Sequence, residues 1–378
     1  MTLDALRRLF PHTEDTIYFN HAATGPLSRP VVEAVERYLE QRHRTNIENY
    51  FDLVPVIAEA KQRIATVLGT EASRVEFAPN TTSALDVLAR GLGWQPGDRV
   101  AVPACEFPAN VYPFMGLERL GVGVDLIPHE RGVVTVESIE RSLTPQTRLL
   151  TLSWVQFLSG FRADLAAVGR LCRERGVLFC VDAIQGLGAF RLDVEACGID
   201  FLACGGQKWL LATQGSGFLY LTEALQARLT PAAGWLSGPV DWDDVFDYRL
   251  AFHPDASRFR LGTLNHIGVV ALDAALGLYL DAGPEWCESM VLDLCRMLGD
   301  GLEAIGLQRY GTADAGHASG IVTFEHPDAE GLYAYLRGRN IHISLRNRMV
   351  RFAPTYYNSP GEVEAVLEAV EAFGIRPA

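Results

Sequence analysis

The sequence predicts an α/β protein, with a large domain built on a mostly parallel β-sheet and a smaller C-terminal α/β domain. Three observations predict this fold class. Between residues 74 and 203, short β-rich runs alternate with helical runs, as in sheets whose parallel strands are joined by helices. The strand runs are almost wholly apolar, which is typical of strands covered on both faces. A length of 378 residues suits one large domain and one small one.

The first strong element is an amphipathic helix. From residue 53 to 68 apolar residues recur at helical spacing, and Gly69 follows at the position of a helix stop. Lys61 lies on this helix among charged and amide side chains. We therefore expect Lys61 on a solvated face.

Beyond this helix the predicted elements alternate along the chain. We expect strands over 74–77, 99–102, 122–127, 148–154, 177–181 and 201–203, and helices over 82–91, 109–120 and 165–175. A long helix over 267–280 then leads to a second α/β segment. The predicted large domain comprises residues 15–282, and the predicted small domain comprises residues 1–14 and 283–378.

Charge and composition disfavour several classes of function. The formal net charge of −13 repels phosphate backbones and anionic lipid, so we expect neither a nucleic-acid nor a membrane partner. Seven cysteines without a C-x-x-C pair fit a reducing compartment. The sequence shows no signal peptide and no stretch apolar enough to span a bilayer. We therefore expect a cytoplasmic protein, and no metal site.

Lysine is nearly absent from the chain. Of the 33 basic residues only Lys61 and Lys208 are lysine, and the others are arginine. Arginine cannot supply the neutral amine that attacks a carbonyl. Lys208 follows a short apolar strand and two glycines, where burial lowers the pKa of an amine and makes it nucleophilic. The alternative is a lysine on a surface loop.

An acid stands at the carboxyl end of an earlier predicted strand. Asp182 ends the run LFCVD, and Gln185 follows three residues later. A pyridine cofactor needs a carboxylate against its ring nitrogen, and Gln185 could donate a hydrogen bond to its phenolic oxygen. The alternative role for Asp182 is a helix N-cap.

Three further features are candidates for ligand contacts. Thr81 and Thr82 open a predicted helix, a geometry that binds phosphate but is also produced by ordinary helix caps. Phe107 follows a strand and could lie against an aromatic cofactor or belong to the core. Arg351 lies in an apolar strand, where it could bind a substrate carboxylate or form an ion pair.

Taken in order, these motifs resemble the class V aminotransferase family of fold-type I enzymes, which use pyridoxal-5′-phosphate (PLP). The resemblance covers nearly the whole chain. Any single motif is weak, but their order is the family's. The ordered motifs are an N-terminal loop at Asn20, His21, Ala22 and Ala23, the threonine pair, the Asp182–Gln185 spacing, Lys208, the Gly-Thr-x-Asn stretch at 262–265, and Arg351 before Tyr357 and Asn358.

The resemblance implies a seven-stranded, mostly parallel sheet and a specific set of roles. Lys208 would form the Schiff base, or internal aldimine, with PLP, Asp182 would contact the pyridine nitrogen, and Gln185 the phenolate. Thr81, Thr82 and Gln207 would bind the phosphate, and Phe107 would lie over the cofactor ring. Thr263 would reach the phosphate from a neighbouring subunit, which implies a homodimer. Arg351 would bind the substrate carboxylate, with Asn20, His21 and Ala22 in the substrate loop.

The sequence also departs from one subgroup of this family. Cysteine desulfurases have a histidine where this chain has Phe107, and they carry a persulfide cysteine on a loop before the carboxylate arginine. Residues 342–349 contain no cysteine. Phe157 and Gly205 likewise replace polar residues of that subgroup. We therefore do not expect a desulfurase that passes sulfur through its own cysteine.

The predicted function is a PLP-dependent aminotransferase that acts on a small-molecule amino acid, with the freed Lys208 amine as general base. The runner-up is β-elimination from a cysteine-like substrate by a C–S lyase, and the third choice is an epimerase. His21, Ser344 and Arg346 are expected to help decide among these reactions. An alternative from a different functional class is a regulatory or sugar-modifying relative that binds PLP without turning over amino acids. A dinucleotide-dependent dehydrogenase is disfavoured, since no convincing G-x-G-x-x-G motif is present.

Overall fold

The computed structural model describes residues 1–375 as a chain of twelve α-helices and thirteen β-strands. The strands are β1 Ile17–Tyr18, β2 Val75–Ala78, β3 Arg99–Pro103, β4 Gly123–Ile127, β5 Thr147–Ser153, β6 Leu178–Asp182, β7 Phe201–Gly205, β8 Gly217–Leu221, β9 Gln308–Tyr310, β10 Val322–Glu325, β11 Ile341–His342, β12 Ser344–Arg346 and β13 Met349–Phe352. The helices are α1 Leu3–Arg7, α2 Arg29–Glu40, α3 Val54–Leu68, α4 Thr81–Gly91, α5 Tyr112–Met115, α6 Val136–Ser142, α7 Leu165–Arg175, α8 Glu223–Gln226, α9 His266–Ala282, α10 Pro284–Ile305, α11 Ala329–Arg337 and α12 Pro360–Phe373.

The central sheet has seven strands in the order β2-β8-β7-β6-β5-β3-β4. Strands β3 to β7 run parallel to one another, and β8 is antiparallel to both of its neighbours, β2 and β7. Every residue of β6, β7 and β8 is buried, as the apolar runs of the sequence require. The predicted fold class, an α/β protein with a mostly parallel seven-stranded sheet, is confirmed.

Strand β8 had no counterpart in the sequence prediction. Its five residues, GFLYL, lie within twelve residues of β7 and follow a glycine-rich turn. Such a short apolar run cannot be assigned by periodicity alone. Its antiparallel pairing needs no crossover helix, so the strand–helix alternation that identified its neighbours was missing here.

The predicted helix over 109–120 is wrong. The structure has a 3₁₀ turn at Pro108–Asn110, the short helix α5, and a second 3₁₀ turn at Glu118–Leu120. Pro113 lacks the N–H that a continuous helix would need, so it can stand only in the first turn of α5. The apolar spacing of the segment indicated a helix, but the proline divides it.

The expectation that Lys61 is solvated is also wrong. Lys61 is 8% exposed on α3, and its amine donates to Glu76 at 3.3 Å and to Ser257 at 3.1 Å. Glu76 is fully buried on β2 and also accepts from Arg260 at 3.0 Å. The amine is therefore committed to an internal ion pair, where breaking the pair would leave a buried charge without a partner.

A second, four-stranded sheet lies in the C-terminal part of the chain, with the order β12-β13-β10-β9 and antiparallel pairing throughout. It shares a core with α10, α11 and α12 that also includes Phe19 from the N-terminal segment. Strand β1 pairs in parallel with β11 and so attaches that segment to the C-terminal part. The division into domains at 15–282, and at 1–14 with 283–378, stays a prediction.

Among the described helices, none is by itself long and apolar enough to cross a bilayer. Helices α9 and α10 satisfy the length and hydropathy criteria only as a pair, across a bend of 81°.

Candidate active site

The carboxyl ends of the parallel strands meet at one edge of the central sheet, where α/β proteins bind their ligands. A pocket of about 320 Å³ lies at this edge, within the size range of small-molecule sites. Strands β2, β3, β5, β6 and β7 each deliver residues to it just after they end. Nine of the predicted site residues line the pocket: Ala22, Thr81, Thr82, Phe107, Asp182, Gln185, Gln207, Lys208 and, from β13, Arg351.

Lys208 lies three residues beyond the end of β7 and is only partly exposed, toward the pocket. Its Nζ atom is 5.7 Å from the centre of the Phe107 ring. Burial lowers the pKa of the Lys208 amine, and the nearby Asp182 carboxylate opposes this effect. A lowered pKa increases the neutral, nucleophilic fraction of the amine, so the alternative of a solvated loop lysine is wrong.

The loop that carries Lys208 is fastened to the N-terminal segment. The carbonyl of Gln207 accepts hydrogen bonds from the Gly25 N–H at 2.8 Å and from the Thr24 hydroxyl at 3.2 Å. A Cβ atom at position 25 would lie 2.3 Å from the Lys208 carbonyl oxygen. Glycine is therefore required at position 25 for the segment to approach this loop and bring Ala22 to the pocket.

Asp182 ends β6, and no helix follows it. Its carboxylate accepts the Ile184 N–H at 3.0 Å within a local turn, so the alternative of a helix N-cap is wrong. Burial raises the pKa of Asp182, and the neighbouring Glu106 adds to this effect while Lys208 opposes it. A carboxyl held in such an environment gains from a cationic partner, because a positive charge favours its ionised form.

Gln185 has a fixed orientation. Its amide oxygen accepts the Trp209 indole N–H at 2.8 Å, and its amide nitrogen donates to the Ala22 carbonyl at 3.0 Å. The amide NH₂ group has two donors. One N–H is thus engaged by Ala22, and the second remains for a ligand in the pocket.

Thr81 and Thr82 form the first turn of α4, and the helix cap is Asn80, whose side chain accepts the Ser83 N–H at 2.9 Å. Capping therefore does not account for the threonine hydroxyls. The Thr81 hydroxyl oxygen is buried and has no hydrogen-bond partner within the described residues. Buried polar atoms without a partner are rare, and this one adjoins the amino end of a helix, where anions are stabilised.

Phe107 and Phe157 form the apolar part of the pocket wall. Their rings meet edge to face with centroids 5.3 Å apart. Phe107 is 47% exposed, so the alternative of a core residue is wrong. The exposed face lies beside Lys208 and is available to a flat ring.

Arg351 is 2% exposed, and no carboxylate among residues 1–375 forms an ion pair with it. Its guanidinium donates to the Phe157 carbonyl at 2.5 Å and to the Ser344 hydroxyl at 3.2 Å, while its Nε has no partner within residues 1–375. Burial and the neighbouring Arg346 lower the pKa of Arg351 to about 10. The alternative of an ordinary ion pair is therefore wrong, and a substrate carboxylate would supply the missing charge.

Asn20 does not line the pocket but stands behind Arg351. The Ser344 hydroxyl donates to the Asn20 side-chain oxygen and accepts from Arg351. Asn20 and Ser344 thus fix the guanidinium rather than contact a ligand. Arg346 does line the pocket, as expected of a group near the substrate.

His21 also lies outside the pocket, contrary to its expected place beside the substrate. Its ring is fully buried, with Nδ1 2.7 Å from the Ala353 carbonyl and Nε2 2.6 Å from the Tyr357 hydroxyl. Burial lowers the pKa of His21 to about 3. His21 opens a turn over residues 21–23, and its side chain faces the protein interior while Ala22 and Ala23 line the pocket.

Thr263 lines a different cavity. This larger, mostly apolar cavity of about 670 Å³ adjoins the first one, since Thr82 lines both. Thr263 is exposed within the single chain. Its expected contact with a phosphate bound by another subunit stays a prediction.

Sequence reasoning missed a polar group beside Asp182. Ser153 ends β5 opposite Asp182 and lines the pocket. Its backbone N–H donates to the buried Glu106 carboxylate at 2.6 Å, and the Gln156 amide donates to the same carboxylate at 2.7 Å. A polar residue at the end of an otherwise apolar strand was the available signal. The same signal had identified Asp182.

Comparison with known proteins agrees with the resemblance noted from the motifs. The family profile described as aminotransferase class-V matches residues 17–358. A probable cysteine desulfurase of Methanothermobacter thermautotrophicus is 31% identical over 86% of this chain and 81% of its own length. The uncharacterized aminotransferase YcbU of Bacillus subtilis is 27% identical over 97% of this chain and 96% of its own length.

A solved structure shares the fold over nearly the whole chain. It is the complex of the cystine C–S lyase C-DES with its reaction product cysteine persulfide, at a TM-score of 0.89, 23% identity, and coverage of 97% of this chain and 100% of that one. With the profile match across most of the chain, these findings lead to one conclusion. The chain belongs to the class V aminotransferase family and is a PLP-dependent enzyme.

Proposed function

We propose that this protein is a PLP-dependent aminotransferase that acts on a small α-amino acid. The observation that carries the proposal is the pairing, in one pocket, of a lysine amine of lowered pKa with a buried arginine that has no carboxylate partner in the described part of the chain. The amine suits a carbonyl group, and the arginine suits a carboxylate. PLP provides the carbonyl group for the lysine, and an α-amino acid provides the carboxylate for the arginine.

The pocket residues fit PLP at three places. The unpartnered Thr81 hydroxyl and the amino end of α4 suit the phosphate. The buried Asp182 carboxylate suits a protonated pyridine nitrogen, and the second amide N–H of Gln185 suits the phenolic oxygen. Bound there, PLP would supply an aldehyde for the substrate amine and a ring that takes up electrons from the α-carbon.

Lys208 is the proposed general base. With a substrate bound, the free Lys208 amine would lie in a partly desolvated site, where its lowered pKa keeps a larger fraction of the amine neutral near pH 7 and so able to take a proton. Phe107 and Phe157 exclude water on one side of it. A single amine that takes the α-proton and returns it to the cofactor side is sufficient for transamination.

A C–S lyase acting on a cysteine-like substrate is the second candidate, and the state of the thiols favours it over a desulfurase. Burial raises the pKa of all seven cysteines. Cys105 lies two residues before Phe107 in the chain, and burial and Glu106 raise its pKa to about 12. Since the thiolate is the nucleophile, none of these cysteines is suited to accept sulfur. Released sulfur would leave as a small molecule.

An epimerase is the least supported choice. Two-base epimerisation needs a second proton donor on the face of the substrate opposite Lys208. Two of the side chains that line the pocket with Lys208, those of Phe107 and Phe157, cannot transfer protons.

We also propose a homodimer in which each Lys208 pocket is completed by Thr263 of the other subunit. Exposed large apolar side chains support it, since such surfaces mark interaction sites. Tyr112 and Leu261 at the Thr263 cavity, and Met115 and Trp235 nearby, are each more than half exposed. A second copy of this chain would cover them.

The test of the proposed function begins with Lys208→Ala and uses Lys61→Arg as the matched control, because Lys61 is the chain's other lysine. We expect wild type and Lys61→Arg to show the visible absorbance of lysine-bound PLP, and Lys208→Ala to lose both that absorbance and roughly 10²–10⁴-fold or more of the activity.

The products then separate the candidate reactions. Given an amino acid and a keto acid, an aminotransferase exchanges the amino group between them. A lyase releases ammonia, a keto acid and a sulfur compound from a cysteine-like substrate. A wild type that gains no absorbance from added PLP would refute the placement of the cofactor on Lys208.

A further inference from the structure

A second cavity, of about 260 Å³, lies directly behind the Lys208 pocket. Phe157 lines both cavities. At three places in the chain, one residue lines the second cavity and its sequence neighbour lines the Lys208 pocket. The residues of the second cavity are Glu106, Gln156 and Asn347, and their neighbours in the pocket are Phe107, Phe157 and Arg346, respectively. The two cavities therefore share one wall, and the Phe157 ring is part of it.

Two hydrogen-bond donors face this second cavity. His129 Nδ1 accepts the Gly132 N–H at 3.0 Å, so the neutral ring carries its proton on Nε2 and can donate from there. The Tyr310 hydroxyl is the other donor, on a ring that the Arg131 guanidinium contacts at 5.3 Å from its centroid. The cavity is thus equipped to bind a hydrogen-bond acceptor.

The charge around the cavity restricts the kind of acceptor. Glu106 lines the cavity and is buried, and its carboxylate already accepts hydrogen bonds from Ser153 and Gln156. A second carboxylate placed next to it would be repelled. A neutral acceptor, such as an amide carbonyl, satisfies both donors without that repulsion.

The position of Arg351 gives the direction of a bound substrate. Its guanidinium donates to the Phe157 carbonyl at 2.5 Å, so a carboxylate held by Arg351 lies beside the Phe157 segment. A side chain that leaves the α-carbon toward the Phe157 segment then passes along the Phe107 and Phe157 rings, which are in contact. A short side chain ends at these rings, and a longer one that turns the Phe157 ring aside reaches the second cavity.

We propose that the second cavity is a subsite for the far end of the substrate side chain, and that the substrates are α-amino acids with long side chains ending in a neutral acceptor. This rests on the proposed function and deepens it by naming the substrate class. His129 and Tyr310 hold the acceptor, and the two phenylalanines contact the apolar middle of the side chain. These four residues determine specificity and take no part in proton transfer.

The experiment uses two ligands of equal size, S-carbamoylmethyl-cysteine and S-isobutyl-cysteine, which differ in having an amide or a branched alkyl end. L-Alanine serves as the short reference. Dissociation constants are measured on the PLP-loaded protein from the change in cofactor absorbance on binding, so no turnover is needed. The variants are Tyr310→Phe and His129→Phe, with Tyr335→Phe on α11 as the matched control.

We expect wild type and Tyr335→Phe to bind the amide ligand about tenfold more tightly than the isobutyl ligand, the effect of one or two neutral hydrogen bonds. Tyr310→Phe and His129→Phe should each reduce this preference severalfold and leave alanine binding unchanged. Equal binding of the two long ligands by wild type, or an unchanged preference in both variants, would overturn the subsite. Loss of response to alanine as well as to both long ligands would instead contradict the proposed function.

Discussion

A buried guanidinium without a carboxylate has an unfavourable free energy, since it has left water without gaining an opposite charge. Arg351 is in this position, and its pKa is lowered as a result. Hydrogen bonds from Asn20 through Ser344 hold it there. Binding of a substrate carboxylate pairs this buried charge and so offsets the destabilisation that Arg351 causes in the folded chain.

Replacement of Arg351 by glutamine should therefore separate stability from function. We expect Arg351→Gln to raise KM for α-amino acids by roughly 10–100-fold, because a charge-assisted hydrogen bond contributes about 1.5–3 kcal/mol. The free energy of unfolding should not fall, since a buried unpaired charge is removed. Steady-state kinetics and denaturant titration measure the two effects.

Cofactor binding and a substrate without a carboxylate are the controls for this variant. The variant should still bind PLP and show its absorbance, because Arg351 is not among the residues that fit the cofactor. A primary amine that lacks the carboxylate should react equally slowly with both proteins. A similar loss with that amine would show that Arg351 acts on something other than the carboxylate.

At the scale of elements, the N-terminal segment is held to the C-terminal part of the chain by one buried hydrogen-bonded series. His21 Nδ1–H donates to the Ala353 carbonyl, so its Nε2 must accept from the Tyr357 hydroxyl, which in turn lies 3.2 Å from His12. The same segment delivers Ala22 to the pocket. Its position therefore depends on a neutral His21.

This dependence predicts a loss of stability in mild acid. The pKa of His21 falls from its ordinary value of 6.5 to about 3 on folding. Between pH 6.5 and 3, His21 is therefore protonated in the unfolded chain and neutral in the folded chain. The free energy of unfolding should decrease as pH falls from about 6.5 to 3, by up to about 1.4 kcal/mol per pH unit from this group. Above 6.5 His21 contributes no pH dependence.

Denaturant titrations across this pH range would measure the slope for wild type and for His21→Gln. The variant should lose most of His21's contribution to the slope. His12, whose pKa is also lowered by burial, adds a smaller slope of the same sign, and it remains in the variant. Identical slopes in the two proteins would mean that His21 is not kept neutral by the fold.

The same elements show how far the sequence could predict the structure. Lys208 and Asp182 were found because a polar residue after an apolar strand must lie at the sheet edge. The burial of Lys61 was not predictable, because its partner Glu76 lies on β2 and only the packing of α3 against that strand brings them together. The inward direction of His21 likewise depends on Ala353 and Tyr357, more than 300 residues away.

At the scale of the whole molecule, the single chain leaves the Thr263 cavity open and its apolar rim exposed. Fold class, family and cofactor follow from one subunit, whereas the complete phosphate site in the proposed dimer requires two. The cytoplasmic location stays a prediction. A shared site has a consequence that an ordinary dimer lacks, since defects in different subunits can compensate for each other.

Mixing two inactive variants tests this consequence. Lys208→Ala removes the amine, and Thr263→Glu places a negative charge where the neighbouring subunit's phosphate is expected. In a mixed dimer one pocket carries both defects and the other carries neither. After random exchange of equal amounts, half the dimers are mixed and half of their pockets are intact, so about a quarter of wild-type activity should return. If Thr263 served its own subunit, every pocket in the mixture would carry a defect and activity would stay at the level of the separate variants.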